Sequence, residues 1–277
     1  MLSVQIDIAL ESSLEYPWYS IYGQLCQDGP LAVDAVEEGE YSTWHVVNYQ
    51  VRLVVGADDN NDITFSSTVI PDVVQSIVQK RTTIPPTVRT KLSLIIEIKP
   101  RPSPVRQWLP LDVHLGPAFL PVWTQIAGQA KNAFGLDPVL EIVPSIAAIG
   151  EYWSYREWTR DSVEDVDTYD PPPISDLVSD TDSQPGTVID PEEIIWVYKD
   201  AGLRPEDHGA PYATPIITCN VDKWDSIELD PPLEQLKTIN DLQRKIFRIR
   251  SASGQRAFEL IRDRGVDLNC FLWHPLG

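Results

Sequence analysis

A mixed central sheet flanked by helices, an α/β or α+β fold, is what this chain predicts, and three observations carry it. Runs rich in β-branched and aromatic residues recur along the first 160 positions, as strands require. Between them lie stretches whose apolar residues return at helical spacing. The most apolar run, 92–98, is continuous rather than alternating, which suits a strand covered on both faces. The order is helix, strands, then strand–helix–strand, then a helical tail.

The elements follow in chain order. Residues 8–26 read as a helical start, with Pro17 at a first turn, where its missing N–H costs nothing, and Trp18, Ile21, Tyr22 and Leu25 on one face. Residues 44–55 read as a strand. Residues 63–79 hold another, redirected at Pro71, where a proline favours an edge strand or a bulge. The strand at 92–98 follows. The proline-rich stretch 100–121 reads as an irregular excursion, and 118–134 as a helix stopped at Gly135. Residues 139–149 form a strand, and 151–158 extend it or begin the next. Ile194–Tyr198 and Ile216-Ile217 are further strand candidates. Residues 233–264 read as a long helix, breaking near 251–254, with Arg244, Lys245, Arg248 and Arg250 clustered on it.

Three parts are expected: a core over 1–160, an acidic proline-rich insertion over 161–193, and a C-terminal strand with a helical extension over 194–277. The insertion holds 11 acids, no base and five prolines, a composition of exposed, poorly ordered chain.

The net charge of −19 is unevenly spread. Residues 1–79 have 12 acids and one base (−11), 80–160 have 6 acids and 10 bases (+4), and 161–277 have 23 acids and 11 bases (−12). An acidic chain is a poor generic binder of phosphate backbones, so a nucleic-acid site belongs in the middle third. Cys26, Cys219 and Cys270 are odd in number and widely spaced, which excludes a disulfide framework or zinc knuckle. No long apolar span or signal peptide is read, so an intracellular protein, cytoplasmic or nuclear, is expected. His45, His114, His208 and His274 lack ligand spacing, and no phosphate-binding glycine loop is present. The 58–62 stretch lacks the glycine and glutamate of a calcium loop.

The chemistry-bearing residues lie in that middle third. Glu97 and Lys99 end the 92–98 run. On a strand they share a face, while Ile96 and Ile98 point the other way. Pro71-Asp72 stands 25 residues earlier, at another apolar stretch, and a later helix carries Gln125 and Gln129. This ordered set resembles the PD-(D/E)XK nuclease superfamily, of restriction-endonuclease-like fold. The phrases 94–99, 125–134 and 146–150 resemble those of uncharacterised fungal proteins assigned to it. The resemblance covers residues 8–160.

It implies a nuclease using Mg2+ or Mn2+. Asp72 and Glu97 would be ligands, with the Ile98 carbonyl as a third oxygen, and Glu15, or else Glu11, as an additional one. Lys99 would orient the attacking water or stabilise the transition state. Gln129, with Gln125 one turn earlier, would face the site from its helix. The resemblance implies a metal that activates water and neutralises phosphate charge. The bland readings are a surface ion pair for Glu97–Lys99, a solvent-facing Gln125, and a helix-start charge for Glu15. The alternative function is a catalytically inactive protein of the same fold, acting as an acidic module that binds a protein partner.

Overall fold

The computed structural model describes residues 2–10, 14–51, 53–55, 67–83, 85–100, 111–164, 197–198, 213–214 and 228–273. Helices α1 (Leu2–Leu10) and α2 (Tyr16–Gln27) come first, then strands β1 (Val36–Glu38), β2 (Tyr41–Tyr49), β3 (Leu53–Val55), β4 (Ser67–Val69), β5 (Val73–Arg81) and β6 (Thr87–Lys99). Helix α3 (Leu111–Leu136) leads to β7 (Ile142–Ile149), β8 (Tyr152–Thr159) and the short α4 (Arg160–Glu164). The two-residue strands β9 (Val197–Tyr198) and β10 (Ala213–Thr214) pair with each other. β11 (Glu228–Leu229), two 3-10 turns, β12 (Lys245–Arg248), α5 (Ala252–Leu268) and α6 (Cys270–Trp273) follow.

Eight strands form one mixed sheet, ordered β1-β2-β5-β6-β7-β8-β12-β11. Most neighbours are antiparallel, but β6–β7 and β11–β12 are parallel. α3 makes the crossover between β6 and β7, as a parallel pair requires. Strand alternation splits the core into two layers. Ile96, Ile98, Ile146 and Ala148 pack against residues of α1, α2 and α5, including Ile6, Trp18, Ile21, Leu25 and Phe258. Ile95, Ala147, Ile149 and Trp158 pack against Phe119, Ile126 and Ala130 of α3.

Several expectations change. The helical start is two helices, with Pro17 in the first turn of α2. The 44–55 strand is broken after Tyr49, where Gln50 has φ 51°; β3 then leaves the main sheet and pairs with β4. β5 is not an edge strand, since it lies between β2 and β6. Pro71 stands just before it, so no ladder N–H is lost. β6 runs 13 residues, well beyond the apolar run. α3 begins within the stretch read as irregular and contains Pro117 and Pro121. Proline weakens a helix interior, but Leu115, Phe119, Val122 and Ile126 are all buried here, and burial of that size offsets the lost bonds.

The largest correction is at the C-terminal end. Residues 233–264 are not one helix. Arg244 takes a left-handed φ of 58°, the next four residues extend β8's edge of the sheet, and Ser251 caps α5 by accepting from the Gly254 N–H at 2.9 Å. The apolar residues Leu236, Leu242, Ile246 and Ile249 are buried as expected, yet Ile246 and Phe247 serve opposite layers, which only a strand allows. The turn at 58–62, residues 165–193 of the acidic insertion, residues 194–196 of the strand candidate that follows, Ile216-Ile217, Cys219, His208 and His274 lie outside the described residues.

Candidate active site

β6 and β7 are the parallel pair at mid-sheet, and functional crevices in open α/β sheets form beyond carboxyl ends of such strands. At that end β7 turns into β8 through a two-residue loop begun by Gly150, with φ 58°, a conformation that favours glycine. The Gly150 N–H donates to the Lys99 carbonyl at 2.9 Å. The Tyr22 hydroxyl of α2 donates to the Gly150 carbonyl at 3.0 Å. The N-terminal part of α2 is thereby held against the strand ends.

Six side chains meet there. Glu97 lies on the α3 face of β6 and is fully buried. Lys99 Nζ donates to Glu97 Oε1 at 2.5 Å, and Gln129 Nε2 of α3 donates to Oε2 at 2.6 Å. Asp72 precedes β5. Because Val73 pairs with Ile96, the same register sets Asp72 opposite Glu97. Asp72 Oδ2 accepts from the Ile98 N–H at 2.7 Å, and Oδ1 accepts from the Tyr19 hydroxyl at 3.0 Å. That hydroxyl also reaches Glu15 Oε1 at 2.8 Å, so Tyr19 clasps two carboxylates with one proton. Glu15 Oε1 stands 4.0 Å from Lys99 Nζ.

The charges do not balance. Three carboxylates, Glu15, Asp72 and Glu97, face one ammonium. Burial, then the Asp72 charge, push Glu97 up to about 7 against the pull of Lys99 and Gln129. For Lys99, burial works against the cation, but Glu97, Glu15 and Asp72 outweigh it and hold its pKa above the usual value. Burial, with Glu15 and Asp72 adding to it, raises the Tyr19 phenol far above its ordinary range. Tyr19 therefore stays a neutral donor, and Lys99 a cation.

The arrangement brings together Asp72, Glu97, Lys99, Gln129 and Glu15. Ile98 contributes backbone only; its side chain lies buried in the opposite layer. Its N–H points toward Asp72, and in an extended strand the carbonyl of the same residue faces the same edge. Gln125 is not part of the cluster. It is exposed, one turn from the fully buried Gln129. Glu11 lies outside the described residues. Tyr19 is the member that sequence reading missed. Its signal was there: Glu15 and Tyr19 are four apart on one helix, and such pairs meet.

A hard divalent cation suits this donor set in kind, because carboxylates and a carbonyl are what magnesium takes and the surplus charge is negative. The site is not an assembled cage. Among the described residues no group of three or more His, Cys, Asp or Glu is placed to hold a metal. Each carboxylate oxygen of Asp72 and Glu97 already accepts one hydrogen bond, leaving further lone pairs. Gln129 Oε1 is buried without a hydrogen-bond partner among the described residues. Among the described residues no helix is long and apolar enough to cross a membrane. Comparisons with protein families, with characterised proteins and with solved structures found no match.

Proposed function

We propose that this chain is a metal-dependent nuclease of restriction-endonuclease-like fold, hydrolysing phosphodiester bonds with Mg2+ or Mn2+. The observation that supports it best is the buried convergence of Asp72 and Glu97 from neighbouring strands beside Lys99, with more negative charge than one lysine neutralises. In this reading Asp72, Glu97 and the Ile98 carbonyl hold the cation, and Glu15 adds a carboxylate from α2. The cation would supply Lewis-acid activation of water and charge neutralisation at phosphorus. Lys99 remains protonated, so it stabilises charge on the transferring phosphate rather than acting as a base. Gln129 fixes the Glu97 carboxylate from the side opposite Lys99. Tyr19 ties Asp72 to α2.

One observation favours a second reading, an inactive protein of this fold that binds a protein partner. Glu97 is wholly shielded, with both oxygens already engaged, and the chain is strongly acidic. The two readings separate in one experiment. Plasmid, single-stranded DNA and RNA are incubated with Mg2+ or Mn2+, with EDTA as control, using wild type, Asp72→Asn and Glu97→Gln, whose folding is checked by circular dichroism. The nuclease reading expects metal-dependent cleavage that falls by about 10²-fold or more in each variant. Equal activity in all three, or none together with no Mn2+ binding by calorimetry, removes it.

A further inference from the structure

β6 runs 13 residues, but only its last five, from Ile95 to Lys99, pair with β7. Two local features end that pairing. Gln75 pairs with Leu94 and Ser76 with Leu92, so Ser93 is an extra residue in β6, and such a bulge bends its strand. Pro144, just before the first paired position of β7, has no N–H to give. Residues 87–91 therefore keep β5 on one side, from Thr87 opposite Arg81 to Lys91 opposite Ile77. On the other side no strand pairs with them among the described residues. They form an open sheet edge, and Thr87, Val88, Arg89 and Thr90 are all exposed. Eight residues separate Arg89 from Glu97, about 26 Å along an extended strand, so this edge is remote from the acid cluster.

An open edge displays backbone N–H and C=O groups that an added strand can take up. Its side chains sort by strand alternation. Lys91 faces α6, where its Nζ lies 4.9 Å from the Phe271 ring centroid, and Arg89, two residues away, shares that face. Val88 and Thr90 take the other face, and Val88 is 62% exposed. Lys80 of β5 stands opposite Val88. Lys80, Arg89 and Lys91 form no salt bridge among the described residues. Arg81, by contrast, is held by Glu40 at 2.9 Å.

Charge and backbone together select the occupant. Pairing this edge with the same edge of a second copy would set arginine and lysine against their own kind, which destabilises a sheet. A nucleic-acid backbone brings acceptors only, so the edge carbonyls would stay unpaired, and the three free bases lie on two faces of the ribbon rather than along one track. An extended acidic peptide answers both the backbone and the charge. We propose that residues 87–91 of β6 form a docking edge for such a peptide, carried by a protein partner. It adds as a strand beside β6, with its acids toward Arg89 and Lys91 and its apolar residues toward Val88. The edge is independent of the metal-ion reading of the acid cluster.

The test uses the full chain in EDTA and a fluorescein-labelled peptide of four Glu-Val repeats, with anisotropy read as protein is added. Because the net charge is −19, this peptide is repelled overall, and saturable binding reports a local site. A peptide of four Glu-Pro repeats carries the same charge but lacks every second N–H, and should bind about tenfold more weakly or worse. Arg89→Glu, at an exposed position and with folding checked by circular dichroism, should weaken Glu-Val binding about tenfold or more. Lys237→Glu, at an exposed lysine elsewhere, should leave it within about twofold. Amide hydrogen exchange over 87–91 should slow when the Glu-Val peptide binds. No saturable binding, equal binding of the two peptides, or undiminished binding by Arg89→Glu overturns the proposal. So does self-association of the wild type that Arg89→Glu abolishes, which assigns the edge to a second copy. Displacement of the peptide by a single-stranded oligonucleotide assigns it to nucleic acid and overturns the proposal too.

Discussion

The acid cluster at the end of β6 and the ion pairs scattered over the surface use the same residue types to opposite effect. Arg256–Glu259 on α5 is held at 2.9 Å, with both side chains more than a third exposed. Water screens such a pair, which contributes little. Glu97 and Lys99 are closer still, but Glu97 is fully buried and shares its surroundings with Asp72. There the same Coulombic attraction competes with desolvation, and a proton equilibrium moves toward neutrality. Between these extremes stands Arg264, which joins α5 to β8 through a two-pronged contact with Glu157 at 2.8 and 3.1 Å. Depth of burial and charge imbalance, not the number of charges, set this cluster apart from the surface pairs.

Removing the cation from the buried cluster should break that contrast most strongly. Lys99→Met leaves Glu97 without its counterion. At pH 8 a loss of about 2–3 kcal/mol in urea unfolding is expected, a figure reduced because Lys99 is itself about a third exposed. The loss should shrink below pH 7, where Glu97 takes up a proton. A pH-independent loss would mean that Glu97 does not respond to its partner.

The pH dependence of the wild type gives a finer test. Glu97 is raised from 4.5 to about 7 in the folded protein. Between those values the folded state binds more protons than the unfolded one, so stability falls as pH rises through this window. Glu97→Gln removes that slope. In EDTA the variant should match wild type near pH 4.5 and exceed it above pH 7 by on the order of 2 kcal/mol. Parallel stability curves for the two proteins would refute the shift.

Arg264→Ala should cost less, about 1–2 kcal/mol in the same assay, because Glu157 keeps the Tyr155 hydroxyl at 2.9 Å. Arg256→Ala sets the baseline: about 0.3–0.5 kcal/mol, as for exposed helix pairs. If Arg256→Ala costs as much as Arg264→Ala, burial is not what distinguishes these contacts.

Much of this arrangement was legible beforehand, and the failures are instructive. Alternation along 94–99 correctly separates Glu97 from Ile96 and Ile98, because a strand has no other way to dispose of successive side chains. Gln125 is exposed, as its solvent-facing reading expects, while Gln129 is buried. Two residues four apart share a helix side, but Gln125 lies toward the edge of that side, where α3 meets solvent. Residues 239–249 misled because isoleucines and leucines three and four apart imitate a helix. A strand that switches layers at Ile246 and Phe247 presents nearly the same list. Nothing local announces that Arg244 will turn left-handed or that β8 will accept an added strand.

Residue order alone decides periodicity, charge distribution and the set of donors available, because these follow from neighbours a few positions away. It was enough to nominate Asp72, Glu97, Lys99, Gln129 and Glu15. Only the packed chain decides that α2 carries Tyr19 to Asp72 and that Gln129 rather than Gln125 is sealed over Glu97. Those outcomes depend on strand register and on the exclusion of water, and both arise from contacts between segments far apart in the chain.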